Sequence, residues 1–94
     1  MSIMKAVGEA VRHFRTGGHG KNKAYYTQEQ LTEMVRNLLR ETEARSAVAS
    51  ETISRIENGR TNPTVKQLSW ICKALDVSLT EFFRDVESQA GRKD

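Results

Sequence analysis

Apolar residues recur at three- and four-residue steps along most of this chain, which is the spacing of an amphipathic α-helix. The pattern predicts a first helix over about residues 2 to 15, with apolar positions at Ile3, Val7, Ala10, Val11 and Phe14. The charged positions of the same stretch fall on its outer face and are Lys5, Glu9, Arg12 and Arg15. A run rich in glycine, from Gly17 to Gly20, then ends the helix because glycine gives the unfolded chain more freedom.

Three Ser or Thr residues are each followed three positions later by Gln or Glu, a spacing that forms a capping box at a helix start. These pairs begin the second, fourth and fifth helices and are Thr27 with Gln30, Thr64 with Gln67, and Ser78 with Glu81. The apolar stripes that follow are Leu31, Met34, Val35, Leu38 and Leu39; Val65, Leu68, Ile71, Cys72 and Leu75; and Leu79, Phe82, Phe83 and Val86. Of the adjacent Phe82 and Phe83, one should lie in the core and the other should point elsewhere.

A shorter third helix is predicted over about residues 49 to 58, with Ala49, Ile53 and Ile56 on its buried face. Gly59 can take the left-handed conformation that ends a helix, and a polar turn with Pro63 follows. So short a helix must pack against neighbours, which leaves its small polar and cationic face outward. Such a face fits a DNA major groove, although the solvated face of an ordinary surface helix has the same composition.

One stretch of the sequence resembles the Cro/cI-type helix-turn-helix regulators, also called the xenobiotic-response-element family. It reads Thr52-Ile53-Ser54-Arg55-Ile56-Glu57-Asn58-Gly59-Arg60, with Asn62-Pro63-Thr64 and Cys72-Lys73-Ala74-Leu75-Asp76-Val77-Ser78-Leu79 after it. The start of the motif's first helix is similar to Thr27-Gln28-Glu29-Gln30-Leu31. The resemblance covers about Thr27 to Phe83. It implies an all-α, five-helix, lambda-repressor-like DNA-binding domain. From the residues themselves we expect an N-terminal helix and basic Gly-rich loop at 1–26, the helix-turn-helix core and C-terminal helices at 27–86, and a flexible polar tail at 87–94.

The predicted third helix supplies the candidates for base readout, which are Ser50, Glu51 and Arg55, with Thr52 as a secondary candidate. Glu51 can accept from cytosine N4, and Arg55 can donate to guanine O6 and N7. The family match gives Gln28 a phosphate contact, and the other expected phosphate contacts are Asn58, Arg60, Thr61, Lys21 and Lys23. Glu57 is assigned to structure, because a carboxylate beside phosphates is repelled unless it pairs internally.

The chain departs from the family pattern between the two helices of the motif, where about eleven residues are inserted around 36–46. Eleven residues complete three turns at about 3.6 residues per turn, so the second helix can extend to about Glu43 without rotating its face. Beyond Leu39 the apolar stripe fades. The extension is therefore expected to project into solvent or towards a protein partner, and an indifferent surface excursion is the alternative.

Charge is distributed unevenly over the chain, whose net charge is +3. Residues 1–26 carry +4, residues 27–83 carry −1, and the remainder carries none. A basic segment beside a helix-turn-helix suggests phosphate contacts, although a merely soluble N-terminus would look similar.

Several classes of function find no support in the sequence. A lone Cys72 rules out an internal disulfide, and no apolar run suits a signal peptide or a membrane span, so a cytoplasmic protein is expected. His13 and His19 lack partners at metal-ligand spacing, so neither a metal nor another cofactor is expected. No catalytic constellation is arranged convincingly, so the chain is not expected to be an enzyme.

The resemblance implies a sequence-specific transcription regulator, most simply a repressor, that binds a palindromic operator in double-stranded DNA as a homodimer. The last helix commonly forms the dimer contact in relatives, which places the expected interface at Trp70, Phe82, Phe83 and Val86. Two related functions stay open. These are the antitoxin of a toxin–antitoxin pair and the controller protein of a restriction-modification system, both with autoregulatory DNA binding.

Overall fold

The computed structural model describes residues 2–17, 25–39, 48–49 and 51–91. Within these ranges the chain forms five α-helices and no β-strand, and the helices are α1 (Ile3–Arg15), α2 (Gln28–Leu38), α3 (Thr52–Glu57), α4 (Val65–Ala74) and α5 (Leu79–Ala90). The predicted all-α fold is confirmed. Residues 40–47, which hold most of the predicted insertion, lie outside the described residues, so its role in contacting a protein partner stays a prediction.

Reciprocal capping boxes fix the starts of α2, α4 and α5, as predicted. At α2, the backbone N–H of Gln30 donates to Thr27 Oγ1 at 3.0 Å, and the Thr27 N–H donates to Gln30 Oε1 at 2.8 Å. A cap of this kind stabilises a helix by about 1 kcal/mol, because it satisfies backbone donors that the helix itself cannot pair. These three helices therefore begin where local sequence dictates.

The core lies where all five helices meet. Helix α1 packs against α3 and α5, α2 packs against α3 and α4, and α4 also contacts α5. Each helix contributes at least one side chain that is almost fully buried, among them Val11, Leu31, Ile53, Ile71 and Phe82. Since an isolated six-residue helix is unstable in water, α3 depends on α1 and α2 for its existence as well as its position.

Among the residues predicted to lie in the core, Ile3, Leu38, Val65 and Leu79 are exposed instead. Three of them are the first residues of α1, α4 and α5. Helical side chains point back towards the N-terminus, so a side chain at the first position projects beyond the end of its helix rather than onto the core. Leu38 is the last residue of α2, and its neighbour Leu39 takes the buried position.

Helix α2 ends at Leu38, so the predicted extension of this helix to about Glu43 is wrong. Leu39 caps the helix, and its backbone N–H donates to Arg36 O in a tight final turn. Its side chain is 7% exposed. The last apolar residue of the stripe therefore turns into the core instead of continuing a projecting helix.

Helix α3 is shorter at both ends than the predicted 49–58. Ala49, expected on the buried face, is exposed and precedes the helix. Its backbone N–H donates to Thr52 Oγ1 at 2.9 Å, and its carbonyl accepts from the Thr52 N–H at 3.1 Å. The chain thus enters α3 through a turn closed by Thr52.

Helix α5 continues to Ala90, so residues 87–90 do not belong to a tail as predicted. Gln89 is only 2% exposed, and its Nε2 lies 2.7 Å from Nδ1 of His13 on α1. A buried amide needs such a partner, because an unpaired polar group costs about 1–3 kcal/mol. This polar contact explains why α5 remains docked on α1 at its C-terminal end.

Candidate DNA interface

Helix α3 is anchored by the buried carboxylate of Glu57, whose side chain has no solvent exposure. Arg15 of α1 donates to it from Nε at 2.5 Å and from Nη2 at 2.8 Å. Gln28 of α2 donates from Nε2 at 2.9 Å, and Arg12 Nε lies 3.5 Å from Glu57 Oε1. Three helices therefore meet at one carboxylate, in keeping with the structural role predicted for Glu57.

Arg15 was expected on the outer face of α1, but the residue is 8% exposed. The hydrogen bond to Glu57 raises the pKa of Arg15, against the lowering caused by burial. Its Nη1 also donates to the carbonyl of Tyr26 at 2.8 Å, which ties α1 to the chain just before α2. Glu57 lies 42 residues away from Arg15 in the sequence. The helical period of α1 alone therefore could not predict that Arg15 is buried.

Gly8 lies where α1 crosses α3, and because glycine has no side chain, the backbones of the two helices can touch there. A Cβ atom at this position would lie 2.4 Å from the carbonyl oxygen of Ile56 and 2.7 Å from that of Glu57. Both neighbours are backbone atoms, which cannot rotate away as a flexible side chain can. Sequence reasoning missed this residue, although an isolated glycine inside a helical pattern is the signal that marks such a close approach.

A Schellman motif ends α3. Gly59 has φ +70°, its N–H donates to Ile56 O at 3.1 Å, and the N–H of Arg60 donates to Arg55 O at 2.9 Å. The predicted left-handed Gly59 is therefore confirmed. Asn58 and Arg60, on either side of this glycine, are exposed.

The outward face of α3 carries the residues predicted to read bases. Arg55 and Glu51 are exposed, and Thr52 is half-buried with its hydroxyl accepting from Ala49. Within the described part of the chain, the Arg55 guanidinium has neither an ion pair nor a hydrogen bond. Ser50 lies outside the described residues, so its assignment stays a prediction.

The predicted phosphate contacts surround the two ends of the motif. Gln28 is the first residue of α2, and its side-chain amide is engaged with Glu57. Asn58, Arg60 and the half-buried Thr61 follow α3. Lys21 and Lys23 lie outside the described residues.

The predicted dimer surface divides into two pairs of residues. Phe82 and Val86 are 0% and 3% exposed, because both fill the core of the subunit, so they offer no surface to a partner. Phe83 is 39% exposed and packs edge-on against Phe82, with ring centroids 5.4 Å apart. Trp70 is half-buried at the edge of the core. The available part of the predicted interface is thus Phe83 and Trp70.

Cys72 is a core residue, as predicted, and is 2% exposed. Burial raises the pKa of its thiol to about 12. Among the described residues, no group of three or more His, Cys, Asp or Glu side chains is arranged to hold a metal ion. Across the same residues, every helix is too short or too polar to cross a membrane.

Helices α2 and α3 have the arrangement of a helix-turn-helix. A connection that contains turns joins them, and the short α3 has an exposed polar face. Residues 38–82 match the model of the helix-turn-helix family, which covers the end of α2, all of α3 and α4, and the start of α5. Residues 27–37, which begin the motif, precede the match. No curated protein and no solved structure matches the chain. This match identifies residues 38–82 as similar to the Cro/cI-type helix-turn-helix family, and it supports a DNA-binding transcriptional regulator.

Proposed function

We propose that this regulator is a repressor that binds a palindromic operator as a homodimer, with α3 of each subunit in a major groove. The observation that carries the proposal is the contrast between the two faces of α3. Its inner face is fixed by Ile53, Ile56 and Glu57, all buried, whereas Arg55 extends into solvent from the outer face. A rigid helix with an exposed arginine can read bases at low entropic cost.

Base recognition is assigned to Glu51 and Arg55, with contributions from Ser50 and Thr52. An arginine donates two hydrogen bonds to guanine, and a glutamate accepts one from cytosine N4. We therefore expect each half-site of the operator to contain a G·C pair opposite each of these side chains. The hydroxyl of Thr52 already accepts from Ala49, which leaves its O–H free to donate and one lone pair free to accept in base readout.

Phosphate contacts are assigned to residues at the ends of the motif helices and in the basic loop, namely Gln28, Asn58, Arg60, Thr61, Lys21 and Lys23. Contacts of this kind fix the orientation of the protein on the duplex without carrying sequence information. The exposure of Asn58 and Arg60 directly after α3 supports this assignment.

Dimerisation would place two α3 helices in successive major grooves, about 34 Å apart, so that the two-fold axis of the protein matches that of the operator. The exposed ring of Phe83 supports an interface that includes the outer side of α5. Repression needs no further surface, since occupying the operator is sufficient to exclude polymerase.

Selection of bound duplexes from a random pool, followed by sedimentation of the complex, tests the proposal. We expect a palindromic sequence bound by two chains per duplex and preferred strongly over a scrambled duplex of equal length. Enrichment of a sequence without two-fold symmetry, bound by one chain, would contradict the homodimer. Failure of any sequence to be enriched would contradict specific recognition.

A further inference from the structure

An open cleft lies between α1 and the C-terminal end of α3. It has a volume of about 310 Å³ and is lined by Lys5, Glu9, Arg12, Glu57 and Asn58. Three of these residues, Lys5, Arg12 and Asn58, are exposed. The cleft therefore presents an ammonium, a guanidinium and an amide to the solvent beside the predicted DNA-reading helix.

The charge of this cleft is positive. The carboxylate of Glu57 is already paired inside the protein by two hydrogen bonds from Arg15. The Arg12 side chain is 44% exposed, and its Nε lies 3.5 Å from the same carboxylate. Because Arg15 already balances the charge of Glu57, the charge of Arg12 adds to the positive charge of the cleft. Among the described residues that line the cleft, the only carboxylate besides that of Glu57 belongs to the half-buried Glu9.

Two glycines bring these cations to the end of α3. Gly8 lets α1 touch the backbone of Ile56 and Glu57, as described above. At Gly59, a Cβ atom would lie 3.1 Å from Cγ of Lys5, so the stem of this lysine lies across the glycine. Lys5 thereby lies against Gly59, the residue between the exposed Asn58 and Arg60, which were assigned to the DNA backbone.

We propose that Lys5 and Arg12 bind a backbone phosphate flanking the half-site, so that α1 extends the DNA interface beyond the helix-turn-helix. This inference rests on the proposed DNA-binding function. A phosphodiester suits the cleft because its oxygens accept hydrogen bonds, and Lys, Arg and Asn side chains all donate them. Glu9 opposes this contact and limits its strength.

A purely structural role would give a different result. Cations near the C-terminal end of a helix interact favourably with its last carbonyl groups, and Lys5 and Arg12 stand at that end of α3. If this were their whole contribution, neutralising them would lower the stability of the fold without changing how DNA binding depends on salt.

The experiment compares Lys5→Gln, Arg12→Gln and Glu9→Gln with the wild type on the selected operator and on a scrambled duplex at several salt concentrations. Each cation variant should weaken binding to both duplexes by a similar factor. The double variant Lys5→Gln/Arg12→Gln should also make the slope of log K against log salt shallower by about 0.9, because one phosphate contact is lost, and each single variant should make it shallower by a smaller amount. Glu9→Gln should bind both duplexes more tightly than the wild type.

The matched control is Lys73→Gln, which removes an exposed cation from a separate cleft between α4 and α5 and should leave the slope unchanged. Arg12→Lys keeps the positive charge, so it should also keep the wild-type slope. This variant distinguishes an effect of the lost charge from an effect of a disturbed fold. Unchanged slopes in Lys5→Gln and Arg12→Gln would overturn the inference while leaving DNA binding intact. A wild type that binds neither duplex would overturn the proposed function and this inference together.

Discussion

Arg15 of α1 and Glu57 of α3 form a buried ion pair across 42 residues of sequence, joined by two hydrogen bonds. Helix α3 is only six residues long, and its orientation depends on partners outside it. The ion pair and the backbone contact at Gly8 fix that orientation from the same side, since both come from α1. The outward direction of Arg55 follows from them.

Removal of one partner of this pair should destabilise the protein strongly. Arg15→Met leaves the Glu57 carboxylate buried without its main counter-charge, which typically costs about 3–5 kcal/mol. Urea unfolding would measure the loss. The double variant Arg15→Met/Glu57→Met should recover part of it, because no buried charge then remains, and a double variant as unstable as the sum of both singles would contradict this explanation.

Gly8→Ala should also destabilise the fold, even though alanine is the better helix former by about 1 kcal/mol. The added methyl group meets two backbone carbonyl oxygens, so α1 and α3 must separate, and overpacking of this kind costs about 1–3 kcal/mol. Gly91→Ala is the control, since Gly91 has φ −81° and lies at the end of α5. A Gly8→Ala variant more stable than the wild type would show that the helices do not touch here.

The adjacent phenylalanines of α5 should respond in opposite ways. Phe82→Ala removes a fully buried ring and should cost about 3–5 kcal/mol in urea unfolding. Phe83→Asp should leave the subunit folded, but it should reduce the number of chains per operator duplex from two to one in sedimentation. A Phe83→Asp variant that still binds as a pair would exclude this side of α5 from the interface.

The buried thiol of Cys72 should make stability depend on alkaline pH. Its pKa is raised from 9.0 to about 12 in the folded protein, so the thiol ionises first in the unfolded state. The contribution of Cys72 is therefore fully present below pH 9 and declines as pH rises towards 12. Between about pH 8 and about pH 10.5 the wild type should lose about 2 kcal/mol more than Cys72→Val, measured by urea unfolding. Equal losses would mean that the thiol is not buried in the folded state.

The features that the sequence predicted correctly have local causes. Thr27, Thr64 and Ser78 begin helices because each is paired with a residue three positions later, and Gly59 ends α3 because its conformation suits glycine. The opposite environments of Phe82 and Phe83 also follow from helical geometry alone. Signals that reach no further than one helical turn are visible in a single sequence.

The features that the sequence did not reveal depend on contacts between distant segments. The burial of Arg15 requires Glu57, and the need for Gly8 arises only where α3 crosses α1. Leu39 ends α2 by turning into a core that other helices build, so helix propensity in the residues that follow gave the wrong boundary. Val86 and Phe82 were assigned to a dimer surface because an apolar stripe looks the same whether a subunit core or a partner covers it.

The most direct test of the central claim, that the outer face of α3 reads a DNA sequence, is the affinity of Arg55→Ala for the selected operator and for a scrambled duplex, compared with the wild type. If Arg55 donates to a guanine, its loss should cost about 1–3 kcal/mol on the operator, much less on the scrambled duplex, and relax preference at one base position. Equal losses on the two duplexes would mean that Arg55 holds a phosphate, and that α3 does not read the sequence through this residue.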